Sequence, residues 1–208
     1  MKKTLLAVLL GSFALASFAQ PIMIEKQGAF SAGGTVIEAK KTFDPYHPEP
    51  DAMTLHGDHA NIIYQIPAHA KDVSLMFLHG AGQSMRTWQT TPDGREGFQS
   101  VFLRKGYPVY LIDQPRRGDA GRATVDGTIK ASPDEQFWFG QFRMGLWPKF
   151  YDNSAFASQK DLNSFWRQMT PNTAPYNDKV IADAVTDALK KTKDTVLVTH
   201  SQGCGPGW

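Results

Sequence analysis

A mostly parallel α/β sheet with helices on both faces is the fold class this sequence predicts, and three observations carry the prediction. Two near-continuous apolar runs, 73–78 and 109–113, have the character of strands covered on both faces. A helical pattern lies between them, with Phe98, Val101 and Phe102 on one face and Gly106 placed to stop it. A second helical pattern then precedes another β-rich run at 195–198. Strands alternating with helices pair in parallel through right-handed crossovers, and ligands of such sheets bind at the carboxyl ends of the strands.

The elements follow in chain order. Lys2 and Lys3, an apolar stretch from Leu5 to Leu15, and the small-residue site Ser17-Phe18-Ala19 predict a cleavable export signal over residues 1–19, too short to cross a bilayer and so no stable membrane anchor. The mature chain, 20–208, is then periplasmic or secreted. Residues 20–34 read as a loose lead-in, Thr35 to Ala39 as a first strand, and the proline-bearing stretch 43–52 as a connector. Ala60 to Ile66 reads as a second strand, the two forming an edge hairpin. Asn177 or Asp178 caps a helix whose Ile181, Ala184, Val185, Ala188 and Leu189 share a face, and whose Lys190, Lys191 and Lys193 suit its negative end.

Composition bounds the function classes. With 208 residues the chain holds one domain and a sizeable core. Its 22 basic and 20 acidic residues nearly balance and form no long basic run, so a nucleic-acid partner is not implied. Cys204 is the single cysteine, which leaves no intramolecular disulfide, and beyond the elbow it reads as a small packing residue.

The chemistry gathers at two strand ends. The 73–78 run opens into His79-Gly80-Ala81-Gly82, and the last strand into Thr199-His200-Ser201-Gln202-Gly203. A serine on a sharp strand-to-helix turn presents its hydroxyl above the sheet, provided that its neighbours are small, and Gly203 meets that need. The helix that follows aims free N–H groups at the reacting oxygen. These residues resemble the α/β-hydrolases, in particular exported bacterial esterases with a His-Ser-Gln-Gly nucleophile elbow, over residues about 35 to 208. The resemblance implies acyl transfer on a small-molecule ester without cofactor or metal. Ser201 is the implied nucleophile and the backbone N–H groups of Ala81 and Gln202 the implied oxyanion donors. His79, Gly80, Gly82, His200 and Gly203 shape the loops.

Three features depart from that pattern. Thr199 stands where the elbow has its first glycine. Residues about 123–176 exceed what the crossover needs, and their many aromatics predict a cap lining an acyl or alcohol pocket, a core for the insertion itself, or both. In this fold the triad acid and histidine follow the serine, whereas all six histidines, at 47, 56, 59, 69, 79 and 200, precede Ser201 or adjoin it. The expectation is therefore an N-terminal fragment whose acid and base lie beyond Trp208. The alternative is an exported hydrolase-like fragment or binding module without turnover. Two further motifs read as turns: His56-Gly57-Asp58-His59 as a surface turn rather than a metal site, and Arg117-Gly118-Asp119 as the loop after a strand. The sequence fixes no oligomeric state.

Overall fold

The computed structural model describes residues 21–208 apart from 128 and 157; the expected export signal at 1–19 lies outside the described residues. Strand β1 (Ile24–Ile37) pairs antiparallel with β2 (Leu55–Pro67) in one long hairpin. The lead-in read at 20–34 is thus mostly strand, and the first strand begins 11 residues earlier than Thr35. Its apolar signal is weak because most of β1 is exposed, with Ala32 its one buried residue. Gly33 and Gly34 adopt φ of +64 and +100, and a Cβ on Gly33 would lie 2.6 Å from Ala184 Cα, so this bend lets a later helix approach the strand. His56 to His59 belong to β2, opposite residues 33–36 of β1, and not to a surface turn.

Strand β3 (Ser74–Leu78) is buried throughout; α1 (Phe98–Arg104) follows it and leads to β4 (Val109–Asp113). The insertion then contributes α2 (Glu135–Gln141), the short β5 (Gly145–Leu146) and β6 (Lys149–Phe150), and α3 (Gln159–Trp166). Helix α4 (Asp178–Lys190), β7 (Thr195–Thr199) and the short α5 (Cys204–Gly207) complete the described chain. Asn177 caps α4, its side chain accepting from the Val180 amide at 3.1 Å.

The main sheet runs in the order β1-β2-β4-β3-β7. Only β2 is antiparallel to its neighbours, so β1, β4, β3 and β7 all point one way. Side-chain alternation separates two cores. Ile62, Met76, Leu78 and Ile112 meet Ile181, Ala184, Val185 and Ala188 of α4 on one face. Leu75, Phe77, Val109 and Leu111 meet Leu103 of α1, with Met85 and Trp88, on the other. In α1 the deeply buried residue is Leu103, while Phe98 is 52% exposed at the edge of a cluster in which its ring meets both Phe77 and Trp88. β7 has a strand on one side only among the described residues, and Val196 is correspondingly exposed rather than buried.

Topology places the site. From β3 the chain crosses one face to β4, then returns across the opposite face to β7 on the far side of β3. Strand order reverses at β3, and at such a switch point the loops leaving the carboxyl ends of neighbouring strands part to leave a crevice. The loops after β3 and β7 are the ones that carry Gly80 and Ser201.

Candidate active site

Ser201 is exposed and has φ +51, in the left-handed region that costs a non-glycine residue on the order of 1–3 kcal/mol. The geometry around it explains how the turn is held. His200 N–H donates to Leu78 O at 3.2 Å, extending the β3–β7 pairing one residue, and Gly203 N–H closes the turn on His200 O at 2.9 Å. A Cβ on Gly203 would lie 2.6 Å from His79 O, and one on Gly80 would lie 3.0 Å from Ser201 Cβ. The close approach of the two loops therefore demands glycine at 203 and leaves only tight space for a side chain at 80. Thr199 is accommodated by Gly207, where a Cβ would lie 2.6 Å from Thr199 Cγ2; the missing first glycine of the elbow has its counterpart eight residues on, at the end of α5. Cys204 is half-buried, with Thr199 Oγ1 donating to its sulfur at 3.3 Å.

The amides of Ala81 and Gln202 have no hydrogen-bond acceptor among the described residues. Both residues line one cleft of about 480 Å³, walled by Gly82 and Arg117 from the sheet side and by Trp138, Met169 and Asn172 from the insertion. Met169 rests on the glycine loop, its Cε filling the place a Cβ of Gly82 would take, and the Thr170 amide donates to Gly82 O at 2.9 Å. The insertion also has a core of its own, in which Phe139, Met144 and Leu162 are buried and Phe150, Phe156, Phe165 and Trp166 pack on them. Its aromatics thus divide between self-packing and the cleft wall. A comparable cleft of about 420 Å³, lined by Gln27, Tyr64, Gln65 and Gln99, holds none of the strand-end residues.

Neither histidine of the two loops contacts the Ser201 hydroxyl. His200 turns its Nδ1 to Gln83 Oε1 at 3.1 Å, and the same oxygen accepts the Gly80 N–H at 3.0 Å. His79 is fully buried, and burial, helped by the nearby Arg117 charge and opposed by the bond to Gly80 O, pulls its pKa down to about 3. Its Nδ1 lies 3.1 Å from Gly80 O while Nε2 faces the Gln114 N–H at 3.4 Å, which assigns the proton to Nδ1 of a neutral ring. The 3.5 Å approach of Asp113 Oδ1 to His79 Nε2 is accordingly no ion pair, since the ring carries no charge. Asp113 instead accepts from the Met85 and Asp119 amides at 2.6 and 2.9 Å, and burial raises its pKa.

Several structured residues of the site were not singled out by sequence reasoning. Arg117, read as part of a turn, is 2% exposed and reaches from the glycine loop to the insertion. Arg116 beside it forms a buried pair with Asp58, Nε to Oδ1 at 2.7 Å and Nη2 to Oδ2 at 2.9 Å, and its Nη1 donates to Pro175 O at 2.6 Å. Asp58, within the histidine-flanked motif weighed as a metal site, therefore has its carboxylate committed to Arg116 and Thr124. The available signal was two adjacent arginines at the carboxyl end of a buried strand, where a charge has no cheap route to solvent.

Comparison with known proteins agrees with this geometry. No family model matches the chain. It is 31% identical over 143 residues to a probable secreted lipase, phiG, of Fungal sp. (strain ATCC 74256), an alignment covering 64% of this chain and 39% of that protein. It also superposes on a solved structure described as a novel bacterial esterase, with TM-score 0.74 and 29% identity, over 88% of this chain and 62% of that one. The fold is that of an α/β-hydrolase, and both likenesses support a hydrolase relationship. The chain spans well under half the length of the curated relative and somewhat under two thirds of the esterase.

Proposed function

We propose that residues 21–208 carry the nucleophile and oxyanion side of a serine ester hydrolase. Ser201 Oγ attacks the ester carbonyl, and the negative charge on its oxygen is collected by the Ala81 and Gln202 N–H groups. Collapse of the tetrahedral intermediate releases the alcohol and leaves acyl-Ser201, which water then hydrolyses. The observation that carries the reading is the exposed, left-handed Ser201 beside Gly80 and Gly203, where an added side chain would press tightly on the opposite loop at 80 and collide with it at 203. Asp58, His69, Arg116, Arg143 and Asp194 share the positive φ, but none belongs to the loops that leave the carboxyl ends of β3 and β7.

The proton acceptor is drawn from outside the described residues. His79 is neutral, buried and engaged at both nitrogens, and His200 is turned to Gln83. An acid and a histidine on further strand ends complete the triad in this reading, consistent with relatives longer than this chain. The residues about 123–176 serve as a cap whose Trp138 and Met169 meet the acyl or alcohol part of a small ester. The residues 1–19 direct export, and the secreted relative supports that assignment. In the protein made from the whole reading frame, Ser201→Ala should abolish hydrolysis of a short-chain chromogenic ester. Retained hydrolysis would remove Ser201 from the mechanism. Absence of hydrolysis in the unaltered protein would favour the binding-module reading, for which the lack of a base bonded to Ser201 among the described residues speaks.

A further inference from the structure

The Ala81 N–H belongs to the same peptide unit as the Gly80 carbonyl, and that carbonyl is gripped from the protein side. Arg117 Nη1 donates to Gly80 O at 3.2 Å and to Gln83 O at 3.0 Å, and His79 Nδ1 lies 3.1 Å from the same Gly80 oxygen. The peptide is trans, so its C=O and N–H point in opposite directions. Holding the oxygen toward Arg117 turns the Ala81 N–H away from it. Hydrogen bonds in series also polarise one another, so a carbonyl that accepts from a cation makes the N–H of its own amide a stronger donor.

The rest of the guanidinium is committed to neutral oxygens. Nε donates to Asn172 Oδ1 at 2.7 Å, and Nη2 to Asn172 Oδ1 and to Gln202 Oε1, the latter at 3.5 Å. Among the described residues Arg117 has no carboxylate within ion-pair distance, although its side chain is almost wholly buried. Burial lowers its pKa to about 10, which leaves it charged at neutral pH. A buried cation with no carboxylate in contact, and only Asp113 acting on it from beyond ion-pair distance, is a poor device for stability alone, because its desolvation is repaid only in part. Beside a site that develops negative charge, the same arrangement has a use.

We propose that Arg117 is the positioning residue of the oxyanion pocket: through the Gly80 carbonyl it aims and polarises the Ala81 N–H, and its charge, which no carboxylate contacts among the described residues, favours the tetrahedral oxyanion over the neutral ester. The proposal rests on Ser201 being the nucleophile. It separates Arg117 from a plain latch between sheet and insertion, for which the bond to Asn172 would be the part that matters.

The test compares Arg117→Lys with Asn172→Ala in the protein made from the whole reading frame, using a soluble short-chain ester and a phosphonate that forms a tetrahedral adduct on Ser201. Lysine cannot hold both carbonyls and Asn172 at once, so kcat should fall ~10- to 100-fold with KM within ~3-fold, and the rate of phosphonylation should fall in proportion. Asn172→Ala alters the cleft wall but leaves the bonds to Gly80 and Gln83 in place, so its loss of kcat and of phosphonylation rate should be at least ~5-fold smaller than that of Arg117→Lys. Equal losses in the two variants, or a change confined to KM, would overturn the proposal. If Arg117→Lys does not fold, Asn172→Asp serves instead: it keeps every guanidinium bond and supplies a carboxylate, so kcat should fall ~10-fold at unchanged or higher Tm, whereas unchanged kcat would overturn the proposal. An unaltered protein that neither hydrolyses the ester nor takes up the phosphonate overturns the nucleophile reading and this one with it; an active protein that Arg117→Lys leaves unchanged overturns this one alone.

Discussion

Gly203→Ala adds one methyl group to the most crowded point of the site. Gly203 has φ −66 and ψ −12, a conformation open to any residue, so backbone strain gives no reason for glycine here. The reason is space: the added Cβ would lie 2.6 Å from His79 O, 3.1 Å from Leu78 Cγ and 3.2 Å from Leu78 O. Two of those atoms are backbone of the strand end that leads into the glycine loop, and they cannot rotate away. Relief requires the two loops to part by roughly 0.5–1 Å, given that ordinary carbon–oxygen contacts lie above about 3.2 Å. Overpacking of this kind costs about 1–3 kcal/mol, which in a chain of this size lowers Tm by about 2–4 °C per kcal/mol. The effect on the site should be larger, because a displacement of about 1 Å in a reacting geometry costs on the order of 100-fold in rate. Thermal unfolding and the rate of phosphonylation of Ser201 are measured on the same preparation. A variant with lowered Tm and an unaltered phosphonylation rate would show that the separation of the two loops does not govern the serine.

Other perturbations test other joints of the structure. The folded-state pKa of His79 lies below its unfolded value, so in the window from pH 6.5 down to about 3 the unfolded chain binds the extra proton and stability falls as pH falls. His79→Asn should flatten the dependence of unfolding free energy on pH by about 1.4 kcal/mol per pH unit near pH 5, and equal slopes in the two proteins would refute the buried neutral ring. Asp113, whose pKa is raised by burial, contributes with the opposite sign in both proteins and drops out of the comparison. Asp58→Ala strands the buried Arg116 guanidinium and should cost roughly 3–5 kcal/mol in denaturant unfolding; a cost below about 1 kcal/mol would mean that solvent reaches Arg116. Trp138→Ala, at the cleft wall, should alter the relative kcat/KM for short and longer acyl chains, while an unchanged profile would return Trp138 to a packing role.

The parts of the fold that were legible in sequence are those where one physical demand dominates. β3 and β4 are apolar at nearly every position because both faces are covered, and α4 shows its buried face because the opposite side is solvated. β1 was not legible before Thr35, since an exposed hairpin arm is specified by its partner β2 rather than by its own hydrophobicity. The two strand-end loops could be found because glycine beside a serine or histidine marks close backbone approach. Arg117 could not, because nothing in an arginine's neighbours along the chain tells whether its guanidinium ends in water or under a loop 37 residues away. The role of Thr199 likewise depended on a contact, with Gly207, that only the three-dimensional turn brings about.

The most direct test of the central claim is to treat the protein made from the whole reading frame with a fluorophosphonate probe and locate the adduct by mass spectrometry. The account predicts a single modified peptide containing Ser201, lost in Ser201→Ala. An adduct on another residue, or ester hydrolysis that proceeds with Ser201 unmodified, would contradict it.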